Sequence, residues 1–135
     1  MMIVDADGAI LGRLATKIAK DLLKGETITV INTEKAIITG DPNATARRFF
    51  EKREKGDPNK GPFYPRYPDK LFKRVVRGML PYKKDRGMKA FRRLKVIVGN
   101  PENLKGEKVG KSIDDIECKY VSVKDLCKRL GAKVD

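Results

Sequence analysis

The sequence predicts an α/β fold in which helices pack on a small, mostly parallel sheet of about four strands, with an extended basic proline-rich arm. Three observations carry this. Short β-branched or apolar runs, MIV, TITVI, AIITG and VIVG, alternate with stretches of helical period. The first two are separated by a crossover long enough to hold a helix, which favours a parallel pair with a right-handed connection. Between residues 56 and 68, GDPNKGPFYPRYP holds four prolines and two glycines. Such a segment sustains neither helix nor ladder and reads as an arm.

Taken in order, Met2 to Val4 is a buried strand closed by Asp5, Asp7 and Gly8. Ile10, Leu11, Leu14, Ala15, Ile18, Ala19, Leu22 and Leu23 then share one side of a helix, with Arg13, Lys17, Lys20 and Lys24 on the other and Gly25 as its stop. TITVI (27–31) and AIITG (36–40) read as strands. Asp41 and Pro42 open a second helix through ARRFFEKREK to Gly56, the aspartate accepting from free N–H groups and the proline costing no donor in the first turn. After the arm, Leu71, Phe72, Val75, Val76, Met79 and Leu80 form the inner face of a helix that Pro81 ends. A short helix from about Lys84 to Leu94 turns Met88, Phe91 and Leu94 inward and Arg86, Lys89 and Arg93 outward. VIVG (96–99) is the next strand and residues 100–118 are loop-rich. KYVSV is a short edge strand, and Ser122 with Asp125 resembles a capping box opening a last helix that ends at Gly131. At 135 residues the whole chain, 1–135, is expected to be one domain.

Charge is the sequence's strongest functional signal. The formal net charge is +13. Residues 41–95 hold eighteen Lys/Arg against six Asp/Glu, whereas residues 1–40 hold five of each. A field confined to one segment points to a polyanionic partner. Helices with cations three and four residues apart present them in rows, and the guanidinium fork grips two phosphate oxygens at once. The expected contacts are Arg47, Arg48, Lys52, Arg53, Lys60, Arg66, Lys70, Lys73, Arg74, Arg77, Lys83, Lys84, Arg86, Lys89, Arg92 and Arg93, with Tyr64 and Tyr67 of the arm placed to stack on unpaired bases. The plain alternatives are a solvated charged face and aromatic rings that only anchor the arm.

Other classes fare worse. There is no histidine, and Cys118 and Cys127 lack CxxC spacing, which speaks against zinc sites and histidine-based catalysis. Two thiols fit a reducing compartment, with Cys127 on a buried helix face. The start MMIVDADG does not have the pattern of a signal peptide or membrane anchor, so a soluble intracellular protein is expected. Lipid binding by the basic helices is disfavoured because their apolar stripes suit a core and the chain has no tryptophan. The sharpest enzyme alternative is MIVDADGAIL, whose DxDG resembles the first motif of haloacid-dehalogenase-like phosphatases, with Asp5 as nucleophile, Asp7 handling a proton and magnesium completing the site. Against it, Ala9 follows the glycine, and the downstream pair Asp114 and Asp115 follows GKSI rather than an apolar strand. The simpler expectation is that Asp5 and Asp7 close the strand and cap the next helix.

Several separated segments resemble one family. DADGAILGRLATKIAKDLLKG, VINTEKAIITG and VVRGMLPYKKDRG followed by RLKVIVG are similar, in that order, to the large-subunit ribosomal protein L-thirteen family. GPFYPRYPDKLFKRVVRGMLP is similar to its archaeal and eukaryotic branch, and Gly99, Asn100 and Pro101 stand where many bacterial members carry a histidine. The resemblance covers most of residues 2–99 and is weak over 100–135. It implies a three-layer α/β/α protein of the cytoplasmic ribosome that binds large-subunit rRNA beside other large-subunit ribosomal proteins. It also implies a part in subunit assembly, no catalytic activity and no cofactor.

Overall fold

A computed structural model describes residues 2–54, 67–101, 103–108 and 119–130, with side chains left out at 52–54. Strand β1 (Met2–Asp5) leads through a Gly8 turn into helix α1 (Leu11–Leu23) and strand β2 (Ile28–Ile31). A single 3₁₀ turn (Thr33–Lys35) then precedes strand β3 (Ile37–Thr39). Helices α2 (Pro42–Glu54), α3 (Pro68–Gly78) and α4 (Asp85–Arg92) follow, then β4 (Leu94–Val96), β5 (Tyr120–Ser122) and α5 (Val123–Arg129).

The α/β class and the parallel β1–β2 pair are as the sequence predicts. The main sheet has the order β1-β2-β4, all parallel, with Met2, Ile28 and Leu94 side by side and Val4, Val30 and Val96 two residues on. Those six positions share one face, because side chains alternate along a strand. They join α1, α3 and α4 in one core through Leu14, Ile18, Leu22, Leu71, Phe72, Val76 and Ala90. The free edge of β1 is met by Glu107, whose N–H donates to the Ile3 carbonyl and whose carbonyl accepts from Asp5 N–H.

Several expectations are corrected in detail. AIITG does not enter the parallel sheet as a strand: β3 pairs antiparallel with β5 in a separate two-stranded sheet, touching the rest through a bridge between Ile10 and Ile37. Strand β4 starts two residues before VIVG, since Leu94 already pairs with Ile28, and Val98 is exposed. Pro68, assigned to the arm, is the first residue of α3 and buried. The rest of the arm except Tyr67 lies outside the described residues, as does Gly131.

Asp5 and Asp7 do not cap α1. The residue at that cap is Ile10, with no side-chain bond, while the Asp5 carboxylate accepts from Asp7 N–H (3.0 Å) and Asn32 Nδ2 (3.1 Å). Asn32 sits at φ 56°, a left-handed turn that asparagine tolerates. The other two starts behave as read: Asp41 accepts from Asn43 N–H at 3.3 Å, and the Ser122 hydroxyl accepts from Asp125 N–H at 3.1 Å.

Candidate nucleic-acid interface

Helix α3 gains its position from Leu71, Phe72 and Val76, all fully buried, so the cations between them are forced toward the surface. Lys70 is exposed, and Lys73, Arg74 and Arg77 are half-buried along the flank. Together with Phe91 of α4 they line a shallow depression of about 200 Å³. Lys73 Nζ lies 5.8 Å from the Phe91 ring centre and the Arg77 guanidinium 4.7 Å from that of Tyr82. Such cation–π contacts hold the long side chains over apolar surface while leaving their charge uncancelled.

The hinge between the two helices is built on a close approach. Leu80 is buried; the Pro81 carbonyl accepts from Lys84 N–H at 2.9 Å. Gly87 of α4 sits directly against this turn. A β-carbon there would overlap the Pro81 carbonyl and come within 2.9 Å of Tyr82 N. The inner face of α4 is therefore Gly87 and Ala90, with Phe91 half-buried. Met88, expected inward, is exposed, and so is Met79 of the hinge. Small residues let the helix lie close, and the methionines are displaced to the outside.

The outer face of this pair carries Lys83, Lys84, Arg86, Lys89 and Arg92, all exposed. Lys89 pairs with Asp85 one turn away at 3.1 Å, a surface contact of small energetic weight. Arg93 departs from the outward orientation expected of it. Its Nη2 donates to the Leu22 carbonyl at 2.6 Å, so it caps the C-terminal turn of α1 instead of facing outward. Arg47 and Arg48 are exposed on α2, which packs against α5 and β5. Lys52 and Arg53 belong to the same helix, with side chains outside the described residues; Lys60, Tyr64 and Arg66 also lie outside them. Tyr67 is exposed at the N-cap of α3.

Two chemistries can be set beside this. The Asp5 carboxylate is engaged by the turn and Asn32, and among the described residues no group of three or more His, Cys, Asp or Glu is arranged to hold a metal. Burial, helped by the negative charge of Asp69, pushes the Cys127 thiol up to about 12, which makes it an inert core residue. No helix among the described residues is long and apolar enough to cross a membrane.

A cationic α/β domain whose helices present lysine and arginine outward has the charge distribution suited to a polyanionic partner. Residues 1–103 match the family model described as ribosomal protein L13. Relatives named large ribosomal subunit protein uL13 are 48% identical in Archaeoglobus fulgidus, covering 96% of this chain and 86% of the relative, and 46% identical in Methanocaldococcus jannaschii, covering 98% and 99%. That of Haloarcula marismortui is 42% identical over 97% of this chain and 91% of its own length. The chain belongs to the ribosomal protein L13 family, a family of ribosomal proteins and not of enzymes.

Proposed function

We propose that this chain is a structural constituent of the large ribosomal subunit, in the cytoplasm, where it binds and clamps large-subunit rRNA and supports subunit assembly beside other ribosomal proteins. The observation that carries the reading is the α3–hinge–α4 surface. Lys70, Lys73, Arg74, Arg77, Lys83, Lys84, Arg86, Lys89 and Arg92 are mounted there on the hinge and on two helices whose inner faces lock into the core. Arg47, Arg48, Lys52 and Arg53 of α2 add a second set, and Lys60, Tyr64, Arg66 and Tyr67 a third along the 56–68 segment. Cations fixed in position neutralise phosphates and let RNA segments approach one another. Their binding also releases condensed counterions, which makes affinity fall steeply with salt.

A binding titration against in vitro transcribed large-subunit rRNA tests this. With six to ten phosphate contacts the log–log slope of affinity against salt is about −4 to −9. Replacing Arg77 and Arg86 together by alanine weakens binding and leaves thermal unfolding nearly unchanged. A slope near zero for the parent protein refutes the reading.

A further inference from the structure

We infer that the outer face of α1 is an additional surface for the RNA backbone, with Arg13, Lys17, Lys20 and Lys24 as its phosphate contacts. This rests on the reading that the chain binds rRNA and adds a site outside the 41–95 segment. By sequence the first forty residues are electrically neutral, which hides the row. In the fold their charges are segregated. The buried stripe Leu11, Leu14, Ala15, Ile18, Ala19 and Leu22 fixes the helix orientation, and the four cations, at spacings of four, three and four, all stand exposed on the opposite side. Neighbours at such spacings lie about 5–6 Å apart between β-carbons, and the row runs about 16 Å along the axis.

Two of the five carboxylates that balance the sum are spent elsewhere. Asp5 is held by the turn and Asn32, and Glu34 is buried, accepting from Gly99 N–H at 2.7 Å. Of the five, Asp21 alone lines the same groove, of about 330 Å³, and it is half-buried. Among the described residues, none of the four cations has a carboxylate within ion-pair distance. The row also adjoins the interface proposed above. Thr16, between Arg13 and Lys17, donates to the Gly12 carbonyl (2.9 Å) and lies 3.5 Å from the exposed Met79 sulfur of the hinge. A phosphate backbone crossing the hinge therefore meets α1 next. Lipid is the weaker occupant, because the apolar face of α1 is already committed to the core and has nothing to insert.

The test replaces Arg13, Lys17, Lys20 and Lys24 together by glutamine, which keeps helix propensity, and measures affinity for in vitro transcribed large-subunit rRNA against salt. Loss of two to four contacts makes the slope shallower by about 1.4–3.6. A steep parent slope that the variant retains overturns the inference while leaving the rRNA reading intact; a flat parent slope overturns that reading first. An unchanged RNA slope with loss of binding to anionic phosphatidylserine vesicles also overturns it, in favour of a membrane surface. Should the quadruple variant unfold at lower temperature, the four single glutamine variants carry the test, each contacting residue losing about 0.7–0.9 of slope.

Discussion

Alanine at Gly87 sets two effects of opposite sign against each other, and the structure decides between them. Within a helix, glycine to alanine ordinarily stabilises by about 1 kcal/mol, through lower entropy in the unfolded chain. At this position the added methyl would enter the space of the Pro81 carbonyl and approach Tyr82 N to 2.9 Å. The obstacle is backbone, so no rotamer change relieves it; α4 must move away from the hinge. Overpacking of this kind costs about 1–3 kcal/mol and occasionally more. The overlap is severe enough to place it at the upper end, leaving a net loss of about 1–2 kcal/mol after the propensity gain. For a chain of this size that lowers Tm by about 3–10 °C. Gly12 supplies the internal control. It is also helical, but a β-carbon there meets nothing within 4 Å, so Gly12→Ala follows propensity and raises Tm by about 2–5 °C. Thermal unfolding followed by circular dichroism reads both. A Gly87→Ala protein as stable as, or more stable than, the parent would refute the account of how the hinge is packed.

Two further outcomes follow from groups turned inward. Arg93→Ala removes the charge-assisted bond to the Leu22 carbonyl and lowers stability by about 1.5–3 kcal/mol in urea unfolding. The exposed Arg92→Ala changes it by less than about 0.5 kcal/mol, so equal effects would return Arg93 to the outer face. In a Cys118→Ser background Cys127 stays unmodified by a thiol reagent at pH 8 until the protein unfolds. Because its folded pKa lies above its unfolded value near 9, the unfolded chain loses the proton first. Cys127 therefore contributes a loss of stability as pH rises beyond about 9, which Cys127→Ala abolishes.

What was legible in the sequence is the part that hydrophobic period controls. The stripe of α1 emerges nearly residue for residue, with the exposed Leu23 of the last turn the exception, and the starts at Asp41 and Ser122 behave as their cap chemistry demands. Period fails where packing uses small residues. Met79 and Met88 have the right spacing to be core, yet Gly87 and Ala90 take the inner positions because close approach needs the absence of bulk. The partner of AIITG was equally invisible, since pairing with residues 120–122 is a long-range choice that no local pattern encodes. For the candidate interface, summing charge by segment located the α3–α4 cations but cancelled the α1 row. It also counted Arg93, whose charge is directed at a helix end.

The passage from α4 into β4 contains no loop. Arg92 ends the helix, the Arg93 carbonyl already accepts from Ile28 N–H at 3.1 Å, and Leu94 is paired with the middle strand of the sheet. A helix attached in this way works as a handle welded to its blade. Any displacement of α4 passes straight to β2, with no connecting loop to absorb it.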